Sequence, residues 1–255
     1  MTMTIWRPAL VVALLLGTVA VTGCSSSGRE DQVLTELANL DKEQIFDKAE
    51  ALYQAEDYEE ARRYFSFLYD TFPNDPLGHK AALRVADTYQ TKRDTASLME
   101  ARLRYRDFAN RYPNDPDRDY ALLMVGHTFM SRKLRPDRDL TSIQEALGAY
   151  QQLVNLYPDS DYAAEATDRI AILRELLAEH EWLVSQFYYR NKWRLGALWR
   201  LEYLRDNYPQ YSKMDLVAER IAEIESVIEA QRDEFEEKLE ERKNAMEDTE
   251  KSGGD

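Results

Sequence analysis

Residues 61–76 read ARRYFSFLYDTFPNDP, and residues 101–116 repeat the same pattern as ARLRYRDFANRYPNDP. Each copy holds an alanine, an aromatic residue four positions later and a third apolar residue three positions after that. Spacings of four and three place these three side chains on one face of a helix. The Asn-Asp-Pro ending predicts that this helix stops, with aspartate capping the next helix and proline as its first residue. The pattern therefore indicates repeated pairs of helices.

Four sites share this helix-ending pattern, in which an aromatic residue and a proline follow an amphipathic segment. They are Phe72-Pro73, Tyr112-Pro113, Tyr157-Pro158 and Tyr208-Pro209, with Ser160 and Ser212 at capping positions after the last two. Each segment carries a small, a bulky and a further apolar residue in the same order. These are Ala61, Phe65 and Leu68; Ala101, Tyr105 and Phe108; Ala146, Tyr150 and Leu153; Ala197, Leu201 and Leu204. Because alanine lets a neighbouring helix approach closely, each segment is predicted to be the second helix of an antiparallel pair.

The offsets resemble the tetratricopeptide repeat, whose second helix carries alanine, aromatic and proline residues at matching positions. The four prolines are 40, 45 and 51 residues apart, more than the usual period of about 34, so longer helices or inserts such as residues 132–139 are expected. The chain has 9 glycines and lacks the alternating runs typical of strands. We predict an all-α fold, a tetratricopeptide-like solenoid of about five antiparallel helix pairs over residues 42–230.

The N-terminus has the features of a bacterial lipoprotein signal. Arg7 precedes an apolar run from Pro8 to Val21, which falls short of the roughly 20 residues that a membrane-spanning helix needs. The run ends in Val21-Thr22-Gly23-Cys24, which resembles a lipobox, and Cys24 is the only cysteine. We predict that residues 1–23 are cleaved and that Cys24 is lipidated. The alternative is an ordinary secreted protein with a stray thiol.

Residues 24–41 are predicted to form a tether that begins with a small and polar stretch. Ser25 stands where an aspartate would favour retention at the inner membrane, so we expect an outer-membrane location facing the periplasm. The chain has 47 acidic and 33 basic side chains, a formal net charge of −14. Such a surface repels nucleic acid and anionic headgroups. We therefore expect no nucleic-acid partner and anchoring through covalent lipid.

Signs of an enzyme are weak. The histidines are His79, His127 and His180. They lie in separate repeats without two at ligand spacing, and no nucleophile motif or glycine-rich nucleotide loop occurs. Glu179 and Glu181 beside His180 leave open a site that cleaves peptidoglycan, although chance adjacency is expected among so many acidic residues. We predict no enzymatic activity, no metal and no cofactor beyond the lipid on Cys24.

Two further stretches resemble the BamD family of outer-membrane β-barrel assembly lipoproteins. Asp137-Arg138-Asp139, followed by a helix and then by residues 157–162, looks like that family's junction between the third and fourth repeats. Residues 187–209 look like its fourth repeat. The resemblance covers about residues 41–228. The tether lacks the prolines expected of the family, and the charged segment after Gln231 is longer than is typical.

The resemblance implies a scaffold without chemistry of its own. Its partners would be the barrel-forming core subunit BamA, other assembly lipoproteins and unfolded outer-membrane proteins, which it would receive by their terminal strand signals. Arg200 matches a family arginine associated with core-subunit contact, and Asp137, Arg138 and Asp139 form a second candidate contact. For Arg200 the alternative is an intrachain pair with Glu202 or with a neighbouring helix.

Stacked helix pairs leave a groove that can hold an extended peptide. Phe46, Tyr53 and Tyr89 are candidate groove residues, and packing between helices is the alternative for each. A second function also stays open, a tetratricopeptide lipoprotein that organises cell-wall synthesis or envelope constriction. Residues 231–255 are predicted to form an exposed charged helix that ends in a disordered tail, with a coiled-coil or partner helix as the alternative.

Overall fold

The computed structural model describes residues 35–131 and 133–252, with side chains up to residue 246. Cys24, the predicted signal peptide and most of the predicted tether lie outside the described residues. Residues 35–37 are helical and belong to an N-terminal unit of residues 1–41, whereas residues 42–255 form a second unit that holds the repeats. None of the described helices is both long enough and apolar enough to cross a membrane.

The described part of the second unit is built from α-helices and contains no strand. The helices are α1 (Lys42–Gln54), α2 (Tyr58–Thr71), α3 (Pro76–Gln90), α4 (Thr95–Arg111), α5 (Arg118–Met130), α6 (Leu140–Leu156), α7 (Ala163–Arg190), α8 (Arg194–Asn207) and α9 (Met214–Ser252). Each packs against its neighbours in the sequence, and α1 also contacts α3. Four antiparallel pairs are followed by α9, which packs on α8. The predicted all-α, tetratricopeptide-like solenoid is confirmed.

The repeated apolar face forms the core. The four alanines Ala61, Ala101, Ala146 and Ala197 are fully buried, and so are the bulky residues Phe65, Tyr105, Tyr150 and Leu201. The third members, Leu68, Phe108, Leu153 and Leu204, are buried as well. The predicted helix register is therefore confirmed in all four pairs.

Close helix contacts explain two glycines. A Cβ added at Gly78 would lie 1.9 Å from the carbonyl oxygen of Phe72, and one added at Gly126 would lie 2.4 Å from Cζ of Tyr150. Real Cβ atoms do not approach other atoms this closely, so a larger residue would push these helices apart. Both glycines are required by packing inside the fold.

The predicted helix ends are confirmed at all four aromatic-proline pairs. The aromatic residues Phe72, Tyr112, Tyr157 and Tyr208 are the C-caps of α2, α4, α6 and α8. Each donates its backbone N–H to the carbonyl oxygen four residues earlier, at 2.8–2.9 Å. The proline that follows has no N–H to continue the helix.

The predicted helix starts are confirmed at one site and wrong at the others. Asp75 caps α3, accepting from the N–H of Leu77 at 2.9 Å, and Pro76 is the first helical residue. Helix α5 begins only at Arg118, because the carbonyl oxygen of Asp115 accepts from the N–H of Arg118, three residues later, in a turn, whereas that of Asp75 accepts from the N–H of His79, four residues later, as in a helix. Similarly, α7 and α9 begin at Ala163 and Met214, downstream of the two predicted capping serines.

Turns inside three of the pairs contain a residue with positive φ. Glu56, Arg93 and Lys192 have φ values of 63°, 54° and 61°, in the left-handed region that non-glycine residues rarely adopt. They let the chain reverse within a few residues. The third pair has instead the longer connection predicted from its insert.

Helix α9 has two parts that differ in burial. Its first part packs on α8 through Val217, Ile221 and Ile224, which are buried. From residue 229 to residue 246 every side chain is exposed, although the helix continues to Ser252. Ion pairs within the helix, such as Glu234 with Lys238 at 2.5 Å, accompany this exposed part.

Candidate protein-binding surfaces

A depression of about 690 Å³ lies mainly along the first helices of the four pairs. Its lining includes Tyr53 of α1, Arg84 and Asp87 of α3, Tyr120 and His127 of α5, and Arg169 of α7. We call this surface the Asp87 depression. Helical spacing explains why these residues share a surface. Within one helix, residues three or seven positions apart, such as Arg84 and Asp87 or Tyr120 and His127, point to the same side.

Asp87 is the buried centre of this surface, with 4% of it exposed. Its Oδ1 accepts hydrogen bonds from the hydroxyls of Tyr105 at 2.6 Å and Tyr120 at 2.8 Å, and its Oδ2 accepts from Nη1 of Arg84 at 3.1 Å. Burial raises the pKa of both tyrosines above the usual value, and the charge of Asp87 adds to the effect. Both therefore stay protonated donors, and three helices are fixed to one carboxylate.

Arg84 extends the network toward α1. Its Nε and Nη2 donate to the two carboxylate oxygens of Glu50, at 2.5 and 2.9 Å, and its guanidinium lies 5.0 Å from the Tyr53 ring centre. Burial lowers the pKa of Arg84, but the hydrogen bonds and charges of Glu50 and Asp87 outweigh it and raise that pKa. Arg84 therefore stays charged, and its guanidinium donors are already engaged by Glu50 and Asp87.

His127 lies on the α7 side of the depression. Its Nε2 is 3.1 Å from Oε1 of Glu165, which also binds Arg169 at 3.0 Å. Burial lowers the pKa of His127 below its ordinary value of 6.5, and the charge of Glu165 opposes this only in part. Hydrogen bonding to Arg169 is the main reason that the pKa of Glu165 is lowered.

The three predicted groove aromatics lie in different surroundings. Tyr53 lines the Asp87 depression, and Phe46 lines an adjoining depression of about 470 Å³ that shares Asp87. Tyr89 lines neither, because its ring packs between the guanidinium groups of Arg62 at 3.9 Å and Arg104 at 5.2 Å. The structure thus brings two of the three together on one surface. Peptide binding by these residues stays a prediction.

Arg200 is paired within the chain. Its Nη1 lies 2.9 Å from Oε2 of Glu181 on α7, and the two side chains are 28% and 12% exposed. The partner is Glu181 of a neighbouring helix and not Glu202. The guanidinium lies 5.0 Å from the Trp199 ring centre, and its Nε is buried without a hydrogen-bond partner. Contact with another protein stays a prediction for this residue.

Beside Arg200, helix α8 exposes a row of large apolar side chains. Leu195, Trp199 and Tyr203 are 71%, 59% and 39% exposed, and the last two stack with ring centres 6.1 Å apart. Trp193, at 61%, stands just before the helix. We call these four residues the α8 aromatic surface. Exposed patches of this kind are typical of protein interfaces.

Sequence reasoning identified Arg200 but missed the α8 aromatic surface. The sequence does contain a pattern that predicts this surface. Leu195, Trp199 and Tyr203 recur every four residues, on a different helix face from the buried Ala197 and Leu201. Residues 187–205 also carry five basic and one acidic side chain, a local reversal of the acidic balance of the chain. The surface therefore combines aromatic and positively charged groups.

The insert before α6 is held by its own charges. Nε and Nη2 of Arg135 donate to the carboxylate of Asp137 at 3.1 and 3.0 Å, and the Arg135 backbone N–H donates to Oδ2 of Asp139 at 2.8 Å. Nε of Arg138 lies 3.3 Å from Oδ2 of Asp137, and the Arg138 side chain is largely exposed. The predicted contact residues Asp137, Arg138 and Asp139 thus form a compact loop that presents one arginine to solvent.

His180 of α7 binds this loop. Nδ1 of His180 donates to the carbonyl oxygen of Pro136 at 2.7 Å. The next residue, Glu181, holds Arg200. Two candidate contact elements that are far apart in the sequence are therefore anchored to consecutive residues of α7.

Among the described residues, no group of three or more His, Cys, Asp or Glu side chains is arranged to hold a metal ion. The histidines bind separate partners in different helix pairs. His79 binds Asp115, His127 binds Glu165 and His180 binds the Pro136 carbonyl. The residues near His180 that were considered for peptidoglycan cleavage are engaged elsewhere, Glu179 with Tyr211 and Lys213, and Glu181 with Arg200.

Residues 38–239 match the family model of YfiO, described as an outer membrane lipoprotein. The chain is 26% identical over 208 residues to the outer membrane protein assembly factor BamD of Haemophilus influenzae, covering 78% of this chain and 76% of that protein. It is 27% identical over 220 residues to the protein of that name from Xylella fastidiosa strain 9a5c, covering 81% and 72%. It is 24% identical over 209 residues to the protein of that name from Neisseria gonorrhoeae, covering 78% of this chain and 77% of that protein. The resemblance drawn from the repeats is confirmed, and the chain belongs to the YfiO family of outer membrane lipoproteins.

Proposed function

We propose that this chain is a scaffold of the outer-membrane β-barrel assembly machinery, anchored in the outer membrane and facing the periplasm. It binds the barrel-forming core subunit BamA, other assembly lipoproteins and unfolded outer-membrane proteins, and it performs no chemistry and needs no cofactor. Its relatives are named as outer membrane protein assembly factors, and its match to their family covers most of the repeat unit.

The observation that carries this proposal is the α8 aromatic surface beside Arg200. Leu195, Trp199 and Tyr203 expose apolar area that a partner would bury, and arginine next to tryptophan is typical of the residues that dominate interface energies. The insert loop at Arg138 is anchored to the same stretch of α7 and adds a second contact. We therefore assign the binding of the core subunit to the α8 aromatic surface and the insert loop.

The Asp87 depression is assigned to unfolded substrates. Tyr53 and Tyr120 offer aromatic faces, Tyr120 held by its hydrogen bond to Asp87 and Tyr53 by the Arg84 guanidinium over its ring, and a substrate does not need to break either contact. An extended segment gains affinity from such a fixed surface, because little of the surface has to be ordered on binding.

The anchor in this proposal is lipid on Cys24. Replacement Cys24→Ser should abolish acylation and release the chain from outer-membrane fractions. Acylation is read directly by mass spectrometry of the mature N-terminus. An unmodified Cys24 in the wild-type protein would contradict the anchor but not the assembly role.

Affinity purification of the full chain from detergent-solubilised outer membrane tests the assembly role. We expect the barrel-forming core subunit to co-purify in stoichiometric amount, and to be lost from a Leu195→Ser, Trp199→Ser double variant that keeps its melting temperature. Both positions are exposed, so the double change removes little packing within the chain. Recovery of cell-wall synthesis proteins without the core subunit would support the competing function, a scaffold for cell-wall synthesis or envelope constriction.

A further inference from the structure

Trp193 stands where the other helix pairs have an aspartate. The second helices α2, α4 and α6 have Asp57, Asp94 and Asp139 as N-caps, and the first two accept a hydrogen bond from the N–H three residues later. Helix α8 begins after Trp193, which makes no side-chain cap. Its φ of −86° and ψ of 66° nearly match the −81° and 66° of Asp57. The backbone is therefore set for a capping residue, and tryptophan leaves that stabilisation unused.

Trp193 fills no space in the core either. It is 61% exposed, and its ring packs on Tyr188 and Phe187, with ring centres 5.7 and 6.5 Å away. Phe187 is itself 51% exposed. These contacts hold the two exposed rings side by side at the turn between α7 and α8. A large apolar area is thus kept in water in place of a helix cap.

Three basic residues surround the two rings. They are Arg190, Lys192 and Arg194, and no acidic residue occurs from residue 182 to residue 201. Within the described part of the chain none of the three forms an ion pair, whereas Arg200, farther along α8, binds a carboxylate. The chain as a whole has a formal net charge of −14. The turn is therefore a positively charged site on an acidic protein.

The fold itself does not require this composition. The turn of the first pair reverses the chain with the same positive φ and carries Glu56 and Asp57 at the positions of Lys192 and Trp193. Tryptophan is enriched where proteins meet the membrane–water interface, and lysine and arginine near that surface are attracted by anionic headgroups. We call this site the basic aromatic turn, formed by Phe187, Arg190, Lys192, Trp193 and Arg194.

We propose that the basic aromatic turn docks on the anionic phospholipid surface of the membrane, with Phe187 and Trp193 at the level of the headgroups and the three cations against phosphate groups. The charges select this occupant, because the acidic remainder of the chain is repelled by the same surface and leaves the turn as the favourable point of contact. The proposed lipid on Cys24 keeps the membrane at a high effective concentration, so a weak contact is populated. Sharing Trp193 with the α8 aromatic surface fits the proposed function, in which the core subunit is itself embedded in the membrane.

The test is cosedimentation with vesicles of the mature chain carrying Cys24→Ser, which cannot be acylated. Vesicles of phosphatidylglycerol and phosphatidylethanolamine in equal parts are compared with vesicles of phosphatidylcholine alone. We expect binding to the anionic vesicles to be about tenfold tighter or more, and to weaken as salt is added. Neither acylation nor the core subunit takes part, so a negative result here leaves the assembly role standing.

A triple charge variant tests the cations. It combines Arg190→Gln, Lys192→Gln and Arg194→Gln, and it should weaken binding to the anionic vesicles by about tenfold or more. The matched control makes the same change in net charge at exposed positions of α9. It combines Arg232→Gln, Lys238→Gln and Lys243→Gln, and it should change binding by less than about twofold.

Trp193→Ser tests the aromatic part without a loss of stability. Serine is a preferred N-cap, so this variant should melt at or above the wild-type temperature while its vesicle binding falls by about fivefold or more. Phe235→Ser, which removes a 66% exposed aromatic ring from α9, is the control and should bind as wild type does. Equal binding of the wild-type turn to phosphatidylcholine vesicles, or no binding to anionic ones, would overturn the proposal. So would wild-type affinity in Trp193→Ser or in the triple charge variant.

Discussion

Arg200 on α8 and Glu181 on α7 form an ion pair in which the carboxylate is almost buried, 12% exposed, and the arginine is 28% exposed. The same arginine faces Trp199 of the α8 aromatic surface. Arg200 therefore joins two helices of the fold at the edge of a proposed interface. A change at this position affects stability and binding together, and a test must separate the two.

A charge swap separates them. Arg200→Glu places two carboxylates together and should destabilise the fold by about 1–3 kcal/mol, because Glu181 loses its partner while it stays mostly buried. Adding Glu181→Arg restores the pair in reverse and should recover most of the melting temperature. Co-purification with the core subunit should stay low in both variants. If recovery of the core subunit instead follows the melting temperature, Arg200 acts only inside the chain.

Overpacking tests the repeat register. Ala61→Trp and Ala101→Trp each place a large ring where the wild-type side chain is fully buried between helices. We expect each to lower the free energy of unfolding by about 1–3 kcal/mol, measured by chemical denaturation. Arg63→Trp, at an exposed position of α2, is the control and should change it little. Wild-type stability in both alanine variants would show that these helices do not pack as described.

His127 predicts a pH dependence of stability. Burial holds its pKa below the ordinary 6.5 in the folded chain, so the unfolded chain takes up the proton at a higher pH. Stability should therefore rise with pH up to about 6.5 and fall as acid protonates the unfolded form first. His127→Gln should flatten the curve of unfolding free energy between about pH 5 and pH 7 relative to wild type. Parallel curves for the two proteins would contradict this assignment.

The left-handed turn residues predict stabilising substitutions. Arg93→Gly and Lys192→Gly relieve the positive φ at each turn, and we expect about 0.5–1 kcal/mol of added stability after the flexibility of glycine in the unfolded chain is subtracted. Asn191→Gly is the control, because Asn191 has a φ of −85° and gains nothing from glycine. A loss of stability in both turn variants, of the size seen for Asn191→Gly, would show that these turns are not strained.

Much of the fold was predictable because local rules and packing agree. The alanine and aromatic stripes specify a helical face, and the aromatic-proline pairs specify where a helix must stop, so pairing and register followed from the sequence. Helix starts were less predictable. Asp115 has the capping pattern of Asp75, and each side chain accepts from the N–H two residues later, yet the carbonyl of Asp115 closes a turn at Arg118 and the helix begins there. The same Asn-Asp-Pro residues thus adopt two backbone conformations, which the local sequence does not distinguish.

The candidate surfaces were predictable only in part. Tyr53 and Phe46 were expected in a groove and line adjoining depressions, but Asp87, which organises that surface, was missed because a buried aspartate looks like any other acidic residue in a chain with many. The pairing of Arg200 with Glu181 depends on how α7 and α8 lie together. The α8 aromatic surface had a signal in its spacing, but exposure separates such a row from a buried one.

Depletion of the chain in its native host tests the central claim most directly. The measurement is the amount of folded β-barrel protein in the outer membrane, resolved from unfolded barrel protein by heat-modifiable gel mobility, as the chain is depleted. The account predicts that folded barrels decline while unfolded barrel proteins accumulate in the periplasm, and that re-expression of the wild-type chain restores them. Normal levels of folded barrels after depletion would contradict the proposed role in barrel assembly.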